Sequence, residues 1–417
     1  MQMDHNISAN RIGFFDTIRY LMVLLVVVLH SACAYSNNTW WWTVNDANSI
    51  LFDYLLGVLG VFLMPTLFFI AGYFALPSLQ QKGKWLFIKS KLNRLGIPWL
   101  LGVILMVPMI NYIHYYSRDY PVSLLSLWDR FVKNIEGGLS LHTGLITSLM
   151  QFQHLHFWFI SLLLVFFIVF AFLHDAKKRW LPNNPTAAKP KIPTTKSILL
   201  VLGLVSILTA LATFFIYGIF HGTQTKDPWI TIGSLIQFQA SRIILYIACF
   251  SMGVYAFSKN WFKNGKTPGY FLIWLIVSLG LMVCQGRVLT ILMTNFSIGL
   301  ALSWVFMRTI LVFTILLSLI SFGIHHWHSP SKASRQLSAN SYNIYLLHMI
   351  FVVVLQVLLV EWVSISIFIK FGIVTLTTIF ISYLTSQYLI RPFPKISVAG
   401  MIALFMLLIA VLNPTAS

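Results

Sequence analysis

Long apolar runs separated by short polar segments fill the sequence. An α-helix rises about 1.5 Å per residue, so an apolar run of about 20 residues can cross the hydrocarbon core of a membrane. About eleven such runs occur, at roughly residues 17–36, 50–76, 96–116, 156–173, 197–220, 230–257, 268–285, 297–322, 338–360, 371–390 and 396–412. The pattern predicts an all-α, polytopic transmembrane helical bundle of about 10–11 spans.

The composition supports a membrane protein and argues against a nucleic-acid-binding one. Hydrophobic residues make up 58% of the chain and charged residues 9%, and the mean hydropathy is +0.81. The formal net charge is +18, but the basic residues lie in short clusters between the apolar runs. Twenty of the 28 lysines and arginines fall on the N-terminal side of the predicted membrane and six on the other side, while Arg242 and Arg308 lie inside spans. The positive-inside rule therefore predicts a cytoplasmic N-terminus.

The first span, FFDTIRYLMVLLVVVLHSACAY, carries ionisable residues near both ends. Arg19 and His30 are eleven residues apart, close to three helical turns, so their side chains share one face about 16 Å apart. Asp16 lies one turn before Arg19. Charges inside a span are costly and are kept where they face the bundle interior, a partner or water. This stripe predicts a functional site; the alternative is that Arg19 reaches the inner interface and His30 only packs in the core.

Two basic residues lie three positions apart just before the third span. Lys91 and Arg94 are expected on one helix face at the inner mouth of the bundle, with Pro98 in the first turn of the next span. Two fixed cations at this place suit a phosphate-bearing ligand. The alternative is ordinary positive-inside charge.

Arg242 is a charged residue inside the predicted sixth span, next to Gln237 and Gln239. We expect it to line the same cavity or to stabilise a developing oxyanion. The alternative is a buried structural ion pair with a residue such as Asp53. In the second span, Gly72 is expected where another backbone approaches closely.

Histidines and aromatic residues mark two further segments. His156 and Trp158 open the fourth span on the predicted outer side. In the ninth span, Ser341, Tyr345 and His348 share one helix face by their three-and-four spacing. We expect this face in the cytoplasmic half of that span.

Other clusters have simpler interpretations. Trp40–Trp42 follow the first span and are typical of an interfacial belt, with a platform for a sugar as the alternative. His325, His326 and His328 lie beside an inner loop, and we expect them at the membrane interface rather than on a metal. We expect neither a metal site nor a bound cofactor. The cysteines are expected to be packing residues rather than disulfide partners; they are Cys33, Cys249 and Cys284.

Taken together, these segments resemble the acyltransferase 3 family of bacterial integral membrane acyltransferases. The resemblance covers about residues 11 to 390 and rests, in order, on FFDTIR with His30 eleven residues after its arginine, FFIAGYF, KLNRLGIP, HFWFI and SYNIYLLH. Lys91 departs from the family pattern, which has arginine there, and lysine lacks the bidentate fork of arginine. The resemblance implies that residues 1–395 form the acyltransferase 3-like transmembrane domain and that residues 396–417 add a C-terminal transmembrane helix.

The resemblance also implies roles for the residues above. The donor would be cytoplasmic acyl-CoA, and the acceptor a hydroxyl group of a glycan on the outer side of a bacterial inner membrane. His30 would act as general base or as transient acyl carrier, with Arg19 and Asp16 completing the catalytic set. The donor-binding residues would be Lys91, Arg94, Arg242 and Tyr345. The acceptor side would include His156 and Trp158, with secondary roles for His348 and Asp53.

Two other classes of membrane protein compete with an acyltransferase. A secondary transporter or exporter also has ten or more spans with a few buried charges, but it is typically built from repeats with matched helix breaks. Neither feature is visible in this sequence. A purely structural membrane partner does not require the cost of burying Arg19, His30 and Arg242 together. The resemblance leaves open the acyl group, the acceptor glycan and the oligomeric state.

Overall fold

The computed structural model describes residues 13–120, 122–139, 154–180, 194–221, 229–232, 236–262, 269–295, 297–327 and 331–412. Its helices are α1 Gly13–Ala32, α2 Ile50–Lys82, α3 Lys84–Lys91, α4 Ile97–Tyr116, α5 Leu124–Leu139, α6 Trp158–Trp180, α7 Thr195–His221, α8 Ile243–Ser258, α9 Phe271–Thr294, α10 Ile298–His326, α11 Lys332–Val360, α12 Ile367–Thr385 and α13 Pro394–Val411. Strands β1 Trp229–Ile232 and β2 Ile236–Gln239 form an antiparallel hairpin.

Ten helical segments within the described residues are long and apolar enough to cross a membrane. This confirms the prediction of a polytopic helical bundle. The predicted sixth span is wrong as a continuous helix, because its first part is the β-hairpin and only the 16-residue helix α8 follows. The sequence Ile-Gln-Phe-Gln of β2 alternates apolar and polar side chains, which is the strand period, and a search for apolar runs overlooks it.

Helix α1 lies at the centre of the bundle. Ile18, Val27 and Ser31 are fully buried, and the helix packs against α2, α10, α11 and α12. Because α1 contacts four other helices, its few polar side chains can find partners inside the bundle. In the orientation predicted from the charges, α1 runs from the inner to the outer side, which places His30 near the outer end.

Two glycines allow the backbones of α2 and α8 to touch. A Cβ atom at Gly72 would lie 2.0 Å from the carbonyl oxygen of Phe250, and one at Gly253 would lie 2.1 Å from that of Phe69. No side chain fits at either distance, so only glycine permits this approach. The close backbone contact expected at Gly72 is confirmed, and it anchors the short helix α8 firmly in the bundle.

A π-helical turn over Leu92–Gly96 joins α3 to α4. The Ile97 N–H donates to the carbonyl of Leu92, five residues earlier, and Pro98 follows in the first turn of α4 as predicted. Proline has no N–H to donate to the carbonyl of residue 94, which favours this wider turn. This turn lies between Lys91 and the first turn of α4 and contains Arg94.

Candidate active site

The seam between α1 and α11 brings the predicted ionisable residues onto one line. Arg19 Nη2 donates to Ser338 Oγ at 2.8 Å, and His30 Nδ1 lies 2.9 Å from His348 Nε2. Both side chains of α1 therefore face the same partner helix, as their spacing predicts. Asp16 Oδ1 lies 2.9 Å from Arg19 Nη2, which confirms the expected ion pair.

The contacts of His348 determine which imidazole nitrogens of the pair carry protons. His348 Nδ1 lies 2.7 Å from the carbonyl oxygen of Tyr345, which can only accept a hydrogen bond. We therefore assign the proton of the neutral ring to Nδ1, so that Nε2 accepts from His30 Nδ1. The remaining nitrogen of His30, Nε2, then carries a lone pair and has no hydrogen-bond partner among the described residues. This arrangement prepares His30 to accept a proton or to act as a nucleophile.

The predicted position of His348 in the cytoplasmic half is wrong. Helix α11 begins at Lys332, six residues before the predicted start, so His348 lies past its midpoint. The contact with His30 places it near the outer end of α1. An apolar-run search misses the first turns of α11, because Ser, Arg, Gln and Asn residues fill them.

His156 is the third histidine of this cluster. Its ring lies edge-on to that of His348, with centroids 5.0 Å apart, and its Nε2 lies 3.2 Å from the Leu346 carbonyl oxygen. That carbonyl makes Nε2 the donor, which leaves the lone pair on Nδ1. His156 Nδ1 is buried and has no hydrogen-bond partner within the described part of the chain. Two imidazole nitrogens with free lone pairs thus lie in one region of the bundle.

Tyr345 fixes His156 in place. Its hydroxyl donates to the carbonyl oxygen of His156, and both side chains are almost fully buried. The structure thus places Tyr345 within the histidine cluster, and its role in donor binding stays a prediction. Trp158 stacks on Tyr246 at 5.6 Å between ring centroids and meets Trp229 of β1 edge-on. It connects α6 to the hairpin, while its contact with an acceptor also stays a prediction.

Trp42 covers His30 from the loop between α1 and α2. Its ring lies nearly parallel to the imidazole, at 13° and 5.6 Å between centroids. Its Nε1 donates to Gln356 Oε1 at 2.9 Å, and Gln356 Nε2 donates to the carbonyl of Ser31 at 3.1 Å. The interpretation as part of an interfacial belt is wrong for Trp42, which is only 3% exposed, whereas Trp40 and Trp41 are 66% and 56% exposed. Tryptophan content alone cannot show which of three neighbours turns inward.

Asp53 holds the first residues of that loop. Its carboxylate accepts hydrogen bonds from the Ser36 hydroxyl, from Asn37 Nδ2 at 2.8 Å and from the backbone N–H of Asn38 at 3.3 Å. These partners replace the ion pair with Arg242 that was considered from the sequence, and that alternative is wrong. A short polar loop can satisfy a nearby carboxylate through its own donors, so no cation is needed.

Arg118 and Lys370 hold the rest of the loop. Arg118 Nη2 donates to the Trp42 carbonyl and Nη1 to the Thr43 carbonyl, both at 2.7 Å. Partial burial lowers the pKa of the Arg118 guanidinium, which nevertheless stays protonated at neutral pH. The Lys370 ammonium is buried and lies 2.7 Å from Asp46 Oδ2. The sequence predicted both cations only as outer-loop charges, and their contacts depend on tertiary structure.

Arg242 directly precedes α8, at the end of the hairpin. Its Nε atom is buried and has no hydrogen-bond partner in the residues that the structure describes. The neighbouring Gln237 Oε1 accepts from the backbone N–H of His154 at 2.9 Å, which ties the hairpin to the start of α6. The expectation that Arg242 lines the cavity or stabilises a developing oxyanion stays a prediction.

A basic cavity opens at the other end of the bundle, on the predicted cytoplasmic side. Its volume is about 460 Å³, and it is lined by Lys82, Leu86, Lys89, Ser90, Asn93 and Arg94. Lys91 does not line it: its Nζ lies 3.8 Å from the centroid of the Phe167 ring. The expectation that Lys91 and Arg94 share one helix face stays a prediction. The sequence identified Arg94 here but gave no special role to Lys82 and Lys89.

The remaining clusters show no metal-binding arrangement. No group of three potential metal ligands occurs among the described residues. His325 and His326 bond through Nδ1 to carbonyls of their own helix, at 2.7 Å and 3.0 Å, and His328 lies outside the described residues. The three cysteines are free.

The described residues thus form a helical membrane bundle with a histidine pair near one end and a basic cavity at the other. A family model described as an acyltransferase domain matches residues 12–387. The chain therefore belongs to the acyltransferase 3 family and is a membrane acyltransferase. No curated protein and no solved structure matches the chain. Helix α13 lies beyond the match.

Proposed function

We propose that this protein transfers an acyl group from acyl-CoA, bound on the cytoplasmic side, to a hydroxyl group of a glycan on the outer side of a bacterial inner membrane. The observation that carries the proposal is the His30–His348 pair, 2.9 Å between Nδ1 and Nε2, inside the bundle. A free lone pair on an oriented imidazole is what hydroxyl acylation requires, because a hydroxyl group is a weak nucleophile at neutral pH.

His30 takes part in one of two ways. As general base, its Nε2 accepts the proton of the acceptor hydroxyl while the hydroxyl oxygen attacks the thioester carbonyl. The new C–O bond forms, the C–S bond breaks, and the proton passes to the departing CoA thiolate. As acyl carrier, His30 Nε2 first attacks the thioester carbonyl, so that a C–N bond forms, the C–S bond breaks and CoA leaves as the thiolate. The acceptor hydroxyl then attacks the acyl group, so that the C–O bond forms, the C–N bond breaks and the hydroxyl proton passes to the CoA thiolate. In both cases His348 holds the imidazole in the tautomer that leaves Nε2 free.

The inner cavity supplies the charge for the donor. CoA is a polyanion, and Lys82, Lys89 and Arg94 line one open cavity. Charge-assisted hydrogen bonds from such cations are the usual means of holding phosphates. The Lys91 ammonium lies over the Phe167 ring, and Lys91 remains a proposed ligand of the donor. Arg19, bound to Asp16 and Ser338, lies on the same face of α1 as His30 and lines the proposed route between the two regions.

The narrower resemblance concerns the acceptor. The segments FFDTIR, AGYF, the LGIP that follows Arg94, and HFWF look most like glucans biosynthesis protein C, which succinylates periplasmic glucans. That likeness supports succinyl-CoA as donor and a periplasmic glucan as acceptor, with acetyl-CoA as the other donor to consider.

The test uses the full chain in detergent or proteoliposomes, with acetyl-CoA or succinyl-CoA and a periplasmic glucan preparation. Mass spectrometry of the glucan measures ester formation. We expect one donor to give a glucan ester with wild-type protein and none with His30→Gln. The matched control is His326→Gln, which replaces an exposed histidine of α10. Ester formation that survives His30→Gln would overturn the proposed role of His30.

A further inference from the structure

The indole of Trp42 closes one side of the His30 imidazole. The two rings are stacked at 5.6 Å, the indole is 3% exposed, and its Nε1 is bound to Gln356. His30 Nδ1 is already used by His348. Reactants must therefore approach the Nε2 atom at the edge of the His30 ring, on a side that Trp42 does not cover.

Trp42 is held from its backbone as well as from its ring. Arg118 Nη2 donates to the Trp42 carbonyl and Nη1 to the following carbonyl of Thr43, both at 2.7 Å. Ser117 Oγ donates to the same Thr43 carbonyl at 2.8 Å. Because Arg118 lies just after the end of α4, the position of the indole is tied to a rigid helix of the bundle.

An acyl group activated beside a histidine has two competing nucleophiles. Transfer breaks the acyl C–S bond and forms a C–O bond to the sugar, releasing CoA. Hydrolysis breaks the same bond and forms a C–O bond to water, releasing the free acid and CoA. A site that selects the sugar must limit the access of water to the imidazole, and a fixed apolar ring stacked on it keeps water from the face that it covers.

We propose that Trp42 shields His30 from water and thereby sets the ratio of acyl transfer to hydrolysis, with Arg118 as the residue that positions it. This role rests on the proposed function of the site. Trp41 is the control position. It lies next to Trp42 and meets it edge-on, but it is 56% exposed.

The experiment measures free acid and glucan ester formed from the active acyl-CoA by full-length protein. Trp42→Ala should raise the ratio of hydrolysis to transfer by about tenfold, while Trp42→Phe keeps most of the shield and Trp41→Ala leaves the ratio at the wild-type value. Arg118→Gln, which retains the indole, should raise the ratio in the same direction. Free acid formed without protein is subtracted first. Loss of folding then lowers both enzymatic products together and leaves their ratio unchanged, so it does not imitate the expected result.

Two outcomes would overturn the proposal in distinguishable ways. A ratio in Trp42→Ala and Arg118→Gln equal to that of Trp41→Ala would remove the shielding role and leave the acyltransferase site intact. Wild-type protein that releases no CoA from either donor would overturn the proposed function and the shielding role with it. Should Trp42→Ala not fold, Arg118→Gln decides the question on the same ratio.

Discussion

His348 fixes the tautomer of His30. Its Nε2 lies 2.9 Å from His30 Nδ1, while its own Nδ1 proton is committed to the carbonyl of Tyr345 at 2.7 Å. The free lone pair is thereby assigned to His30 Nε2. The pair joins the end of α1 to the middle of α11, so the chemistry of one helix depends on the position of the other.

Replacing His348 should therefore impair turnover rather than donor binding. His348→Leu removes the acceptor for the His30 Nδ1 proton, and we expect kcat to fall about 100-fold, in the range typical of general-base effects, with KM for acyl-CoA little changed. His348→Gln retains an acceptor oxygen and should recover part of the rate. Steady-state kinetics of CoA release measures both; a wild-type kcat in His348→Leu would contradict the assignment.

The basic cavity at the inner end predicts that substitutions of its cations change KM for acyl-CoA more than they change kcat. Arg94→Gln removes a cation that lines the cavity, and loss of one charge-assisted hydrogen bond to a phosphate should raise KM for acyl-CoA about tenfold. Lys91→Met should raise it less, since Lys91 packs on Phe167 instead. The measurement is KM for acyl-CoA at low and at physiological salt. A larger effect of Lys91→Met would reassign the donor contact to Lys91.

The backbone contact between α2 and α8 predicts a stability difference between two glycines of one helix. Gly72→Ala forces a methyl group to within 2.0 Å of the Phe250 carbonyl oxygen, and we expect a loss of about 1–3 kcal/mol or more in the free energy of unfolding. Gly60→Ala is the matched control, because nothing lies within 4 Å of the added methyl group. Thermal unfolding in detergent should show a lower Tm for Gly72→Ala alone.

The buried ion pair between Lys370 and Asp46 predicts that the stability of the protein depends strongly on both residues. Lys370→Met leaves Asp46, whose side chain is 12% exposed, without the cation 2.7 Å away, and should cost about 3–5 kcal/mol. Lys370→Met combined with Asp46→Asn removes both charges and should recover much of that loss. Thermal unfolding of the two single variants and the double variant tests this. Equal Tm values for Lys370→Met and wild-type protein would show that the pair contributes nothing.

The helix faces of this protein could be predicted from its sequence, but the partners of those faces could not. Spacing alone placed Asp16, Arg19 and His30 on one face of α1, and the structure agrees. That His348 is the partner of His30 depends on how two distant helices pack, and no local pattern encodes that packing. The family motifs brought His348 into consideration without its role.

Two local predictions failed for physical reasons. The hairpin before α8 has the alternation of a strand inside an apolar stretch, so a search for spans merges it with the helix. The polar first turns of α11 place His348 past the midpoint of its helix, whereas the apolar run alone starts six residues after Lys332. Trp42 shows a third limit, because its burial depends on Arg118 and Gln356, which come from other segments.

The most direct test of the account is the release of free CoA by purified full-length protein, with acetyl-CoA and succinyl-CoA in turn. Wild-type protein, His30→Ala and the control His326→Ala are compared under identical conditions, and folding is monitored by size-exclusion profile and Tm. We predict turnover of one donor by wild-type protein and by His326→Ala, and none by His30→Ala that folds normally. Equal turnover by His30→Ala and wild-type protein would contradict the central claim that acyl transfer proceeds through His30.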